Sequence, residues 1–162
     1  MGQGYKYICK KCYEVYSLYT GIGMGFPHFY QQTLKEVARG KYGSKEKELF
    51  KKIPFLGVDA ETNYYECDNC GYWEAQECLD LYQPKNVEKL KKKQFGEKTA
   101  EEWSEVPYAT HFDLKQDYKL IKKRIHECPK CHSIMKEKNR KTIISCPNCG
   151  TRNRPVEEVL WD

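Results

Sequence analysis

Apolar and polar residues change rhythm several times along this chain. Residues 5–15, Tyr5-Lys-Tyr-Ile-Cys-Lys-Lys-Cys-Tyr-Glu-Val15, alternate as a strand entering and leaving a tight turn at two cysteines. A helical period follows: Phe26, Tyr30, Leu34, Val37 and Ala38 share one face, Pro27 suits the first turn, and Gly40 suits the position just past the end. A second, shorter helix is expected from Ser44 as N-cap, with Leu49, Phe50 and Ile53 facing inward and Pro54 ending it. Residues 63–74 repeat the strand–turn–strand pattern around Cys67 and Cys70, and Glu77–Tyr82 alternates as a further strand. After Pro84 the chain becomes highly charged. Asn86 is placed to cap a helix over Val87–Phe95 that Gly96 ends, and Thr99 with Glu102 forms a capping box for a short helix carrying Trp103 and Val106. Tyr108–Glu127 is ambiguous between helix and strand. Ile134/Met135 and Ile143/Ile144 read as strands around a polar tip, Lys136–Lys141, and the last residues carry Val159-Leu160-Trp161, an apolar tail expected to dock on its own domain.

Composition changes this picture at the cysteines. Of nine, eight form four Cys-x-x-Cys pairs, at 9/12, 67/70, 128/131 and 146/149, and Cys78 is left over as a small buried hydrophobe. A disulfide framework rarely puts every bridging candidate two residues from another. No leader pattern opens the sequence and no apolar run approaches the ~20 residues of a membrane span, so the expected setting is a reducing cytoplasm with metal-bound thiolates. Four soft sulfurs closing a tetrahedron suit Zn²⁺. The short gap between Cys131 and Cys146 assigns Cys128, Cys131, Cys146 and Cys149 to one site. Cys9, Cys12, Cys67 and Cys70 then form the other, with residues 13–66 inserted between its halves. The competing pairing is nested, joining the first Cys-x-x-Cys to the last and the two inner pairs to each other. The residue after the second cysteine of such a knuckle favours positive φ and hence Gly; Gly71 and Gly150 fit, whereas Tyr13 departs from it and His132 reads as a turn residue.

With the knuckles in view, residues 124–154 resemble a zinc ribbon of the rubredoxin-like Cys₄ type, and Cys67-Asp-Asn-Cys70-Gly71-Tyr72 resembles the first knuckle of rubredoxin. The resemblance implies small antiparallel hairpins around structural metal, with iron and electron transfer as the alternative to two Zn²⁺. The fold class expected is α+β: two Cys₄ ribbon modules, the first with an inserted helical pair, joined by a charged helical linker. The corresponding domains are residues 1–84, 85–107 and 108–162.

The formal charge of +5 suggests a polyanion partner, but two closed Zn(Cys)₄ units, each of net charge −2, lower it to +1. Distribution is more informative, since residues 1–84 are net −1 and residues 85–162 net +6. The expected function is a non-enzymatic zinc module presenting Lys136, Lys138, Arg140, Lys141, Arg152 and Arg154 to nucleic acid or an acidic protein surface. The alternatives are a protein adaptor without nucleic-acid binding and an iron electron-transfer protein. No catalytic residues are expected: His28, His111, Asp113 and His126 show no partner pattern, and the Gly-x-Gly-x-Gly run at residues 21–25 lacks both a dinucleotide fingerprint and a P-loop Lys-Ser/Thr.

Overall fold

A computed structural model of the protein describes residues 2–23, 25–95, 108–138 and 143–161. Among them are four helices and small antiparallel sheets, which agrees with the mixed α+β class. The expected short helix with Trp103 and Val106, and tip residues Arg140 and Lys141, lie outside the described residues.

The segmentation differs from the sequential expectation. One compact unit combines residues 1–25, 61–78 and 125–162, and the other combines 26–60 and 79–124. The boundary expected after Pro84 falls at the end of the strand Leu81–Pro84 and within the stretch 79–124 of one unit, so the chain divides into two interleaved units.

The second unit carries the helices. Helix α1, Phe26–Arg39, buries Tyr30, Thr33, Leu34 and Val37, and Gly40 follows it at φ 89°, the left-handed conformation that closes a helix. Helix α2 spans Ser44–Lys52, but its N-cap is Gly43 rather than Ser44 and no side chain caps it. Its buried residue is Glu46, which meets Lys122 and Arg124, whereas Leu49, Phe50 and Ile53 are half-buried. Helix α3, Val87–Phe95, starts as expected, with the Lys89 amide donating to Asn86 Oδ1. The ambiguous stretch resolves into α4, His111–Asp117, and a strand, Tyr118–Lys122; Thr110 and Asp113 form a full capping box for α4. Strands Gly57–Val58, Leu81–Pro84 and Tyr118–Lys122 make the sheet of this unit. The strand expected over Glu77–Tyr82 is broken at Leu79, whose φ is 59°. Cys78, in the first unit, is buried as expected.

The described residues of the first unit form strands and no helix. Numbered in chain order over the whole protein, its strands are β1 (Gly2–Ile8), β2 (Val15–Thr20), β4 (Thr62–Glu66), β5 (Trp73–Glu77), β8 (Lys136–Glu137), β9 (Ile144–Ser145), β10 (Arg152–Asn153) and β11 (Glu157–Trp161). The strands of the other unit are β3, β6 and β7. Alternation along β2 is regular, with Tyr16, Leu18 and Thr20 inward and Val15, Ser17 and Tyr19 outward. Three sheets result, in the orders β11-β1-β2, β5-β4-β8 and β10-β9. The apolar tail docks within its own chain, as β11 against β1, with Trp161 opposite Gly2 and Val159 opposite Gly4. Aromatic rings fill the interior, Tyr7 stacking on Tyr16 and Trp73 lying against both Tyr16 and Tyr64.

Candidate metal centres

Each Cys-x-x-Cys sits at the turn of its own two-armed element: β1/β2, β4/β5, the Glu127–Ile134 bridge, and β9/β10. The four turns share one backbone pattern. The first cysteine's amide donates to the carbonyl five residues on, and the residue after the second cysteine donates back to the first cysteine's carbonyl, at 2.8–3.0 Å throughout. That geometry sets φ at 61° for Tyr13, 72° for Gly71, 59° for His132 and 74° for Gly150. Tyr13 and His132 therefore occupy the positions glycine fills in the other two knuckles. His132 is a turn residue, as expected, and belongs to neither cysteine cluster.

The sulfurs converge in two groups: Cys9, Cys12, Cys146 and Cys149 (centre A), and Cys67, Cys70, Cys128 and Cys131 (centre B). This corrects the sequential grouping of Cys9/Cys12 with Cys67/Cys70 and of Cys128/Cys131 with Cys146/Cys149; the nested arrangement is the one formed. The cause lies in strand pairing. Strand β8 follows the third knuckle and pairs with β4, which leads into the second, while β11 follows the fourth knuckle and pairs with β1, which leads into the first. The expected hairpin between Ile134/Met135 and Ile143/Ile144 does not form, because β8 joins β4 and β9 joins β10. Longer loops oppose nesting only weakly, since closure entropy grows with the logarithm of length and adds about 1 kcal/mol per site here.

Within each group the four sulfurs lie within 4.8 Å of one another, and all nine cysteines are free thiols. The close pairs are Cys9–Cys149 at 3.4 Å, Cys12–Cys146 at 3.6 Å, Cys67–Cys131 at 3.4 Å and Cys70–Cys128 at 3.5 Å. A tetrahedron with metal–sulfur bonds of 2.3 Å has edges of about 3.8 Å, so both groups have the size of a Cys₄ metal site.

The surroundings divide the thiols. Backbone amides of Cys12 and Lys11, the latter 3.4 Å from Cys9 Sγ, favour the Cys9 thiolate and bring its pKa down to about 6. The side chains of Asn69 and Ser133 bring Cys131 down to about 5. The Thr151 hydroxyl, 3.2 Å from the Cys149 sulfur, lowers that thiol as well. At Cys12 and Cys70 the amides of Glu14 and Tyr72 also favour the thiolate, but burial and the neighbouring sulfurs outweigh them and push both thiols up to about 12. Four sulfurs this close cannot all ionise against their mutual repulsion unless a cation sits among them. A dication supplies that compensation, and the donor set fits one.

Residues around the centres hold them in place. Glu66, buried beside Cys67, accepts from Tyr64 Oη at 2.7 Å and from Arg152 Nη1 at 2.7 Å. Because Arg152 lies on β10 of centre A and Glu66 on β4 of centre B, this pair ties the two centres together. Trp73 Nε1 adds a second tie, donating to the Ser145 carbonyl at 2.6 Å. His126, buried and stacked on Tyr65 at 3.9 Å, faces Gln76 Oε1 through Nδ1 and the Cys78 carbonyl through Nε2. In the other unit, His111 Nδ1 lies 3.5 Å from Asp59, and Asp113 caps α4. These partners come from distant segments, which is why the histidines look isolated in the sequence.

The expected phosphate contacts fare unevenly. Lys136 and Lys138 both pair with Asp68, at 2.6 and 2.8 Å, and hold its carboxyl down to about 2. Arg152 is engaged by Glu66, whereas Arg154 is exposed. Arg152→Met leaves the Glu66 carboxylate buried without its cation. The expected cost is about 1–2 kcal/mol, less than for a fully buried pair because Arg152 is half in solvent, and urea unfolding at fixed zinc measures it.

No helix of the described residues is long and apolar enough to cross a membrane. No protein-family model matches the chain, and comparisons with curated proteins and with solved structures return no match.

Proposed function

We propose that the protein is a non-enzymatic binding module whose β unit is held together by two structural Zn²⁺ ions, one per Cys₄ centre. The observation that carries this reading is closure. All eight paired cysteines converge in two complete sets of four, so a tetrahedral ion has no open coordination position for a substrate or water. A redox role for a Cys-x-x-Cys is disfavoured by the same fact, because each pair already faces another. Zinc is preferred over iron on availability and on the structural use of closed thiolate sites; iron is the variant that would bring electron transfer with it.

For the partner, the reading is a polyanion met by cations that the fold leaves unpaired. A protein-adaptor role is the second reading. It is favoured by the neutralisation of Lys136, Lys138 and Arg152 and by the exposure of Ile125 and Ile134 on the arms of the third knuckle.

Elemental analysis with a visible spectrum of the purified full chain tests the metal reading. Two zincs per chain and no colour are expected. A red, iron-loaded protein would overturn it in favour of electron transfer, and a metal-free folded protein would overturn it altogether.

A further inference from the structure

Centre A differs electrically from centre B. Lys10 and Lys11, between its first two cysteines, and Arg154, just past β10, are all exposed, and no carboxylate of the described residues pairs with them. The nearest acids in sequence are the exposed Glu14, for the lysines, and the exposed Glu157, for Arg154, and Glu157 pairs with Lys6. The Lys10 amide donates to Asn153 Oδ1 at 3.1 Å. Asn153 is buried and donates in turn to Tyr16 Oη at 3.1 Å and the Thr151 carbonyl at 2.8 Å. The first knuckle and the segment bearing Arg154 are therefore fixed together before any ligand arrives.

An exposed aromatic residue follows the two lysines in the same knuckle. Tyr13 holds φ at 61°, where the fourth knuckle of the same centre has Gly150 at 74°. Its side chain is 78 % exposed, so no packing offsets the strained backbone. Ile8 and Val15, opposite each other in the β1/β2 register at the base of this knuckle, are exposed as well.

We propose that the knuckles of centre A bind single-stranded nucleic acid, with Tyr13 stacking on a base and Lys10, Lys11 and Arg154 contacting the phosphates on either side. An exposed ring with flanking cations matches a strand whose bases are free to unstack, and a duplex withholds its base faces. The inference rests on the two-zinc reading, because the metal is what holds the loops in shape.

Fluorescence anisotropy of the zinc-loaded full chain, with labelled oligo(dT) and with a duplex of equal length, tests it. The single strand should bind more tightly, and log K should fall against log salt with a slope of about −2, as three phosphate contacts require. Tyr13→Gly should weaken binding about tenfold while the melting temperature holds or rises, since glycine adopts this backbone freely; Tyr13→Trp should retain affinity. The triple variant Lys10→Gln, Lys11→Gln, Arg154→Gln should flatten the salt dependence, whereas Lys136→Gln with Lys138→Gln should leave it unchanged. Equal or tighter duplex binding, undiminished affinity in Tyr13→Gly, or no binding by a protein carrying both zincs would overturn the inference. A preparation that folds without zinc would instead overturn the two-zinc reading itself.

Discussion

Replacing Cys149 by Ser should release one metal ion of two and loosen β1, β2, β9, β10 and β11 together, while Cys67, Cys70, Cys128 and Cys131 keep theirs. Cys149 shares its centre with Cys9, Cys12 and Cys146, and the strands that converge there are the first two and the last three of the chain. Structural zinc contributes an apparent ~10–16 kcal/mol of binding free energy that doubles as folding free energy, against a net stability of about 5–15 kcal/mol for a whole domain. Losing one ligand should thus melt the hairpins of centre A rather than merely soften them. Cys12→Ser should reproduce the effect although 137 residues separate it from Cys149 in sequence number. Metal content and amide hydrogen exchange check both variants. Protection should vanish across residues 2–20 and 144–161 and persist near Cys67 and Cys128. Loss of protection near Cys67 in Cys12→Ser, with residues 144–161 intact, would contradict nesting.

Acidification should empty both centres. The fold brings Cys9 from the ordinary thiol value of 9.0 to about 6, and Cys131 from the same value to about 5. A thiol whose ionised form the fold favours stabilises the native state above its unfolded pKa, and that contribution is lost as pH falls through the folded pKa. The loss therefore runs from about pH 9 downward through the folded values, about 6 at Cys9 and about 5 at Cys131. Metal affinity should drop about tenfold per pH unit for every thiolate that regains a proton. A zinc-sensitive dye should report release of zinc as the pH is lowered, with strand structure falling alongside by circular dichroism. Retention of both ions and of the hairpins below pH 4 would contradict the assignment. A chelator at neutral pH should also melt the hairpins, because it removes the cation that holds the four sulfurs of each centre together.

All eight candidate ligands are legible in the sequence, because Cys-x-x-Cys spacing is itself the geometry of a knuckle. Their partnership is not legible, because it is decided by β8 and β11. Strand β8 is two residues long, Lys136–Glu137, and shows no hydrophobic alternation that would reveal its pairing with β4. Among the helices, α1 is marked at both ends by Pro27 and Gly40. Helix α4 has one clear signal, the Thr110-x-x-Asp113 capping box, inside a stretch too short and polar to show a period. Ser44 illustrates the opposite error: a good N-cap residue stands beside the position, but Gly43 takes it. The interleaved units escape linear reading for the same reason as the nested centres, since each is assembled from segments far apart in sequence that long-range strand pairs bring together. Arg152 reads as a surface cation until Glu66, distant in sequence, claims it.

Cadmium-113 substitution followed by ¹H–¹¹³Cd correlation spectroscopy tests the central claim most directly, because each metal is read through the β-protons of its own cysteines. Nesting requires one cadmium coupled to Cys9, Cys12, Cys146 and Cys149, and the other to Cys67, Cys70, Cys128 and Cys131. A single cadmium coupled to both Cys9 and Cys67, or to both Cys128 and Cys146, would contradict it.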